Sequence, residues 1–397
     1  MMKMILANDI GNDKMKILEP GADKVTKIPS AYRMVLRKPS VHETDVNKNV
    51  ANLLDQLFVH ITSESIEYSG MYMVGERAIQ STEDVENMDI DMAEKHTDDL
   101  PLINTLAYVA ARAVQKEFDT VGALPKKLEV EVLMSSAIPA SQHTIETAKH
   151  LEDRFTEKDH LVIVYVGDKQ VTVELNFTQV KVTKEGIPAI YSILEGPEDM
   201  FEEFLKEYPE FVGKDLQEVF AEAKMMHTDI GSGTTEYIYT IGPNPRPDVC
   251  TGARNGVGHA SEEAIRMMAE DRAGLSINRQ QFAKYIERPD EYPKDHQLAV
   301  KHLKMARIQQ VKKIVGDIGK KYTKTLSSEP EFICVYGGGS IEFKPDMYKK
   351  VKDFADSVDA KLLWIPAKYA VNMNVKGLDV LNESIFFEEE YADVELV

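Results

Sequence analysis

The hydrophobic positions of this chain recur with a helical period in some segments and alternate with polar positions in others. From Leu100 to Phe118 they recur every three or four residues, which predicts a helix with one buried face. From Leu128 to Met134 apolar and polar residues alternate, which is typical of a strand. A long segment rich in lysine and arginine, His296 to Tyr322, also predicts a helix. The chain is therefore expected to be an α/β protein.

Shorter segments add elements to this prediction. Val25 to Val35 and Leu161 to Val166 read as strands, and Ser141 is a plausible N-cap for a following helix. Two more strands are expected at Val171–Leu175 and Phe177–Val182, and a further helix from Pro345 to Val358.

Two apolar strands end in the same tripeptide, Asp-Ile-Gly, and each is followed by a turn and an outgoing strand. The first copy has Asp9 before Gly11, and the second has Asp229 before Gly231. Glycine supplies the unusual backbone angles of a tight turn, so both segments predict β-hairpins. The repetition indicates two similar domains.

The turns of these hairpins are suited to binding a phosphate. Successive backbone N–H groups beside glycines and hydroxyls can cradle an anion. Asp9 and Asp229 are expected to hold one Mg²⁺ through its waters, since Mg²⁺ keeps most of its water ligands. An ordinary Gly-Ser hairpin with a solvated aspartate is the alternative for either copy alone. The turn residues predicted to contact a nucleotide are Gly11, Asn12, Asp13, Gly231, Ser232, Gly233, Thr234 and Thr235.

A third glycine cluster follows an apolar strand that begins near Glu331. Three successive glycines leave a backbone without side chains, against which a flat ring such as adenine can lie. The residues of this cluster are Gly337, Gly338, Gly339 and Ser340.

The ordered set of two Asp-Ile-Gly hairpins and a triglycine turn resembles the superfamily of actin, the sugar kinases and the DnaK-type chaperones. The resemblance runs from Asp9 to the C-terminal helix. It implies an actin-like two-domain fold, in which two ribonuclease-H-like domains flank a nucleotide cleft. The expected division is 1–186 plus 366–397 for the first domain and 187–365 for the second.

Within that superfamily, the segment from Glu185 to Ala189 is most similar to the plasmid-segregating actin-like ATPases of the ParM type. Their helix begins Glu-x-Ile-Pro-Ala, and the resemblance implies that Glu185 orients the attacking water. The turn Asn374-Val375-Lys376-Gly377 also resembles ParM-like proteins. A glutamate that complements the dipole of the helix is the alternative for Glu185.

The resemblance implies further nucleotide contacts outside the turns. Lys16 matches the phosphate-contacting lysine, while Asn12 departs from the serine or threonine usual at its position, which puts a hydroxyl contact to the γ-phosphate in doubt. Lys304 or Arg307 would touch adenine or ribose, although a solvated basic helix face is the alternative for each. The glycine-containing segment with Arg254 and Gly256 would border the nucleotide.

Composition and charge limit the kinds of partner that this chain is expected to bind. The chain has 397 residues, 43% of them hydrophobic, which is enough for two cores. Its net charge of −19 repels nucleic acid, so no direct DNA binding is expected and any DNA contact requires an adaptor or a local basic face. The two cysteines have no metal-type spacing, and neither a signal segment nor a membrane-spanning run is found. A cytoplasmic protein that binds no membrane is expected.

The function implied is hydrolysis of ATP or GTP with Mg²⁺, coupled to assembly into a filament that separates plasmid copies. The partners implied are other copies of the chain and a DNA-binding adaptor of the ParR type bound to a plasmid centromere. A sugar- or acetate-kinase-like phosphotransferase is the alternative, but it requires a large substrate-binding insertion that the sequence lacks. A chaperone-like regulator would require a substrate-binding domain after residue 397, and a membrane-linked cell-shape actin would require an amphipathic anchor at one end, so both are expected less than the filament.

Overall fold

The computed structural model describes residues 1–40, 43–81, 85–88, 94–272 and 274–392. The chain divides into two compact units. The first contains Met1–Ile138, Gln142–Lys184 and Leu378–Val397, and the second contains Pro139–Ser141 and Glu185–Gly377. None of the helices formed by the described residues is both long and apolar enough to cross a membrane.

The first unit is built on one ten-stranded sheet, in the order β3-β2-β1-β8-β10-β9-β5-β6-β4-β7. Its strands are β1 (Met2–Ile10), β2 (Lys14–Leu18), β3 (Thr26–Pro29), β4 (Ala31–Val35), β5 (Phe58–Ser63), β6 (Gly70–Val74), β7 (Glu86–Asn87), β8 (Lys127–Ile138), β9 (His160–Val166) and β10 (Lys169–Lys184). Its helices are α1 (Val46–Ala51), α2 (Glu76–Ile79), α3 (Leu100–Val121) and α4 (Ile145–Thr156).

The core of this unit forms around α3 and the sheet. The first fourteen residues of α3 except Arg112 are buried, as expected for a helix that is apolar on nearly every side. The helix ends at Gly122, whose φ of 75° gives the left-handed C-cap that glycine favours.

The second unit has a smaller sheet, in the order β13-β12-β11-β15-β16, with β14 also paired to β12. Its strands are β11 (Lys224–Ile230), β12 (Thr235–Ile241), β13 (Asn244–Pro245), β14 (Thr251–Ala253), β15 (Phe332–Tyr336) and β16 (Lys361–Trp364). Its helices are α5 (Ile187–Leu194), α6 (Glu202–Glu207), α7 (Leu216–Glu222), α8 (Val257–Asp271), α9 (Arg279–Glu287), α10 (Pro293–Lys320), α11 (Gly338–Ser357) and α12 (Ala367–Ala370). Helix α13 (Met373–Leu381) begins in this unit and ends in the first, which also contains α14 (Glu388–Ala392).

The two sheets share one arrangement of five strands. In the first, β1 pairs antiparallel with β2 and parallel with β8, which pairs parallel with β10. In the second, β11 pairs antiparallel with β12 and parallel with β15, which pairs parallel with β16. The strand order in both is third, second, first, fourth, fifth, so the two domains are alike, as the repeated hairpins predicted.

Several predicted boundaries differ in the structure. The two strands expected at 171–175 and 177–182 form the single strand β10, and a β-bulge between Phe177 and Gln179 explains the broken alternation. Thr144, not Ser141, caps α4, through a capping box with Thr147. Helix α11 begins at Gly338 rather than at Pro345, because the glycines of its first turn hide the helical pattern.

The division into units also differs from the one expected. Residues 366–377 were expected in the first domain, but they lie in the second unit. The Ser192 hydroxyl donates to Met373 O at 2.6 Å, and Gly377 lies directly against the backbone of Pro188. These contacts join the start of α13 to α5.

Candidate functional site

The hairpin of the second unit is formed by β11 and β12 and contains the second Asp-Ile-Gly copy. Asp229 and Glu236 are directly opposite each other in its register, and Ile230 pairs with Thr235. Both carboxylate residues are buried, although a charged side chain rarely lies inside a protein without a partner. Two buried carboxylate residues therefore lie opposite each other at the end of this hairpin.

The turn of this hairpin lies on the N-terminus of α8. Val257 N donates to Gly231 O at 3.0 Å, and Gly258 N donates to Ser232 O at 2.7 Å. The His259 ring donates to Gly233 O at 2.8 Å. Three successive carbonyl groups of the turn are thus bound by one segment.

The N–H groups of the same turn point the other way. In a trans peptide the C=O and the following N–H are oriented oppositely, so the N–H groups of Ser232, Gly233 and Thr234 face away from α8. Ser232 Oγ is buried and has no hydrogen-bond partner among the described residues. Successive N–H groups that face the same side of a turn form a site that suits an anion such as a phosphate.

Asp229 is held from two sides. The Asn374 side chain donates to Asp229 Oδ2 at 2.7 Å. On the other side the carboxylate lies against Gly337, where a methyl group would come within 2.4 Å of Asp229 Oδ1. The orientation of this carboxylate is therefore fixed by its neighbours rather than left to solvent.

Glu185 lies in a turn that the second unit also fixes. Gly186 has a φ of 84°, its N–H donates to Asn374 Oδ1 at 3.1 Å, and its carbonyl accepts from the Tyr336 hydroxyl at 3.3 Å. Glu185 itself is 9% exposed. The same Asn374 side chain thus contacts both Asp229 and the turn that bears Glu185.

Glu236 is a site residue that the sequence analysis missed. Ala140 N donates to its Oε2 at 3.0 Å, and its Oε1 makes no hydrogen bond with the described residues that meets the usual geometry. Burial, and after it the Glu185 carboxylate, raise the pKa of Glu236 to about 8. A carboxylate at the second position of a strand that continues with apolar and aromatic residues, β12, is the sequence signal that could have found it.

The hairpin of the first unit is built in a similar way. Ser30, between β3 and β4, donates its hydroxyl to Gly11 O at 2.6 Å and its N–H to Asp13 O at 2.8 Å. With the Gly11 carbonyl bound to Ser30, the N–H of Asn12 faces the opposite direction. Ser30 was not predicted, because nothing in the sequence around it marks it as a partner of the turn.

Asp9 and Lys16 form an ion pair within this hairpin. Lys16 Nζ lies 2.7 Å from Asp9 Oδ2, and the carboxylate is nearly buried. The cross-strand register brings them together, since Asp9 and Lys16 are directly opposite on β1 and β2.

The residues of the triglycine cluster make different contacts. Gly337 contacts Asp229, and a methyl group at Gly339 would lie 2.3 Å from Ile230 Cγ2. Ser340 is buried and its hydroxyl donates to Gly337 O at 2.8 Å. A methyl group at Gly338 would meet no atom within 4 Å, so this is the glycine with open space beside it.

The remaining residues predicted to contact the nucleotide lie in different surroundings. Gly256 lies against it, because a methyl group there would be 2.2 Å from Ser232 O. Arg254 and Lys304 are exposed and make no ion pair with the described residues. Arg307 lies over the Phe343 ring, with its guanidinium 3.7 Å from Asp346.

Comparison with known proteins identifies the fold. The chain matches no protein-family model and no curated protein. Among solved structures it is similar to the actin-like protein Alp7A, at 15% identity over 99% of this chain and 98% of that one, with a TM-score of 0.65. A 15-stranded ParM filament from Clostridium botulinum gives a TM-score of 0.64 at 15% identity, covering 97% and 100%. Bacillus thuringiensis ParM with AMPPNP gives 0.56 at 16% identity, covering 96% and 99%. The predicted actin-like, two-domain α/β fold is confirmed.

Proposed function

We propose that this chain is a filament-forming actin-like ATPase of the ParM type, which binds and hydrolyses ATP or GTP and acts in plasmid DNA segregation. The observation that carries the proposal is the pair of hairpins. Each pairs the first and second strands of its sheet, ends in Asp-Ile-Gly, and has turn carbonyls bound from one side so that turn N–H groups face the other. Actin-like structures similar to this chain include a ParM filament and a ParM with AMPPNP.

In this proposal the hairpin turns bind the phosphates. The N–H groups of Ser232, Gly233 and Thr234 would contact phosphate oxygens from the second unit. The N–H of Asn12 and the Lys16 ammonium would do so from the first. Phosphoryl transfer depends mainly on positioning and charge neutralisation, which such groups supply.

The residues present fit a magnesium ion bound through water. Asp9 and Asp229 offer carboxylate oxygens, which Mg²⁺ prefers, and each is oriented by a hydrogen-bond donor, Lys16 or Asn374. Mg²⁺ would neutralise charge on the β- and γ-phosphates. Glu185, on the turn held by Asn374, would orient the attacking water.

The proposal is tested by assembly and phosphate release measured together. With Mg²⁺ and ATP or GTP, we expect light scattering and a sedimenting fraction that exceed those with the diphosphate. The net charge of −19 opposes association, so scattering should rise as moderate salt screens it. Scattering that rises equally with ADP, or never rises at micromolar protein, would count against a filament. ATP consumption that depends on an added sugar or acetate would indicate a phosphotransferase instead.

The role in plasmid segregation requires an adaptor, because a chain with this net charge is not expected to bind DNA directly. We propose a DNA-binding partner of the ParR type, bound to a plasmid centromere, and a cytoplasmic location. The direct test is plasmid retention. Deletion of the gene from a plasmid that encodes it should raise the rate of plasmid loss, and unchanged retention would argue against this role.

A further inference from the structure

The Asn374 side chain bonds both Asp229 and the turn that bears Glu185. Its Nδ2 donates to Asp229 Oδ2 at 2.7 Å, and its Oδ1 accepts from Gly186 N at 3.1 Å. The opposite orientation of the amide would set two acceptors against each other at Asp229 and two donors against each other at Gly186. Only the orientation described satisfies both neighbours.

The backbone that bears Asn374 is itself fixed in place. Gly377 approaches so closely that a methyl group there would lie 1.7 Å from Pro188 O. On the preceding turn, the Ser192 hydroxyl donates to Met373 O. The first turn of α13 is therefore locked against α5, the helix that follows Glu185 and Gly186, and Asn374 has little freedom to move away from Asp229.

We propose that Asn374 is a positioning residue that couples the orientation of the Asp229 carboxylate to that of the Glu185–Gly186 turn. When the Asp229 carboxylate shifts, for example as a hydrated cation approaches it, the Asn374 amide shifts with it. The same amide is bonded to Gly186, so the backbone next to Glu185 shifts as well. This inference rests on the proposed function, since it concerns the same nucleotide site. It adds that the Mg²⁺ response and the position of the hydrolytic glutamate both depend on the Asn374 side chain.

The test compares Asn374→Ala with Asn372→Ala in the full-length protein. Asn372 lies two residues earlier in the same turn, and its side chain makes no hydrogen bond with the described residues that bears on Asp229. Nucleotide affinity is measured by calorimetry with Mg²⁺ and with EDTA, and turnover is measured by phosphate release.

For Asn374→Ala we expect affinity in EDTA to stay within about threefold of the parent. The tightening caused by Mg²⁺ and the kcat should each fall by about 10- to 100-fold, the usual effect of losing a residue that orients a metal-side ligand. Asn372→Ala should match the parent in both. A folded Asn374→Ala protein with the parent's Mg²⁺ response would overturn the inference.

A measurement on the parent protein tests the inference even if the variant does not fold. Hydrogen exchange at the Gly186 amide should slow when nucleotide and Mg²⁺ are added together, and less with nucleotide alone. Exchange that is indifferent to Mg²⁺ would overturn the coupling even if Asn374→Ala cannot be purified. Failure of the proposed function looks different, because the parent protein would then bind no nucleotide at all.

Discussion

Asp229 and Glu236 are directly opposite each other at the end of one buried hairpin; the Asn374 side chain donates to the Asp229 carboxylate, and Ala140 N donates to the Glu236 carboxylate. Burial and a nearby carboxylate both favour the protonated form of a carboxyl group. The pKa of Glu236, raised to about 8 first by burial and then by Glu185, assigns the proton to Glu236.

The raised pKa of Glu236 predicts a pH dependence of stability. A carboxyl whose folded pKa lies above its unfolded value stabilises the fold fully below the unfolded pKa, and this contribution is lost as pH rises through the folded pKa. Glutamine resembles the protonated form at every pH. As pH rises from about 5 to about 8, the thermal midpoint of the parent should therefore fall relative to that of Glu236→Gln.

Thermal scans of both proteins across that range, in the absence of nucleotide and metal, check the sign. A midpoint difference that stays constant with pH would show that Glu236 does not retain its proton on folding.

Gly337→Ala is predicted to destabilise the second unit. Gly337 has a φ of 87°, which costs a residue with a side chain about 1–3 kcal/mol, and the added methyl group would also press on Asp229 Oδ1. Urea denaturation should show this loss. Gly338→Ala is the matched control, since a methyl group there meets open space, and its stability should stay within about 0.5 kcal/mol of the parent. Equal stability of the two variants would contradict the close contact at Gly337.

Glu185→Ala is predicted to slow hydrolysis while nucleotide binding remains. A group that positions or activates the attacking water acts in the transition state, so its loss lowers kcat by about 100-fold or more and spares the phosphate contacts of the ground state. Phosphate release and a nucleotide titration separate the two effects. Glu195→Ala, at the exposed C-terminal end of the same helix α5, should behave like the parent. Near-normal turnover in Glu185→Ala would leave this glutamate with a structural role only.

Asp229→Ala and Asp9→Ala are each predicted to lose Mg²⁺-dependent activity. Both carboxylates are proposed to bind waters of the same ion, and Mg²⁺ depends on such oxygen partners. The measurement is a Mg²⁺ titration of phosphate release at saturating nucleotide. If one of the two variants keeps the parent's response, that aspartate does not serve the ion. For Asp9 the alternative role is visible, because its carboxylate also pairs with Lys16.

The sequence by itself determined the turns of this protein and the residues that lie in them. Turn geometry is encoded by neighbouring residues, so the two Asp-Ile-Gly hairpins and the triglycine cluster were predictable from glycine positions alone. Their order along the chain was enough to predict the actin-like fold, which the comparisons confirm. The roles of the turn residues as ligands stay predictions.

Only the tertiary structure decided which distant residues contact each hairpin. Ser30 binds the first turn, α8 binds the second, and Asn374 reaches Asp229 from a position 145 residues later in the chain. Such contacts depend on how strands and helices pack, and no local period or turn motif encodes them. The raised pKa of Glu236 is of the same kind, because it arises from burial and from Glu185, a residue that lies far away in sequence and close by in the fold.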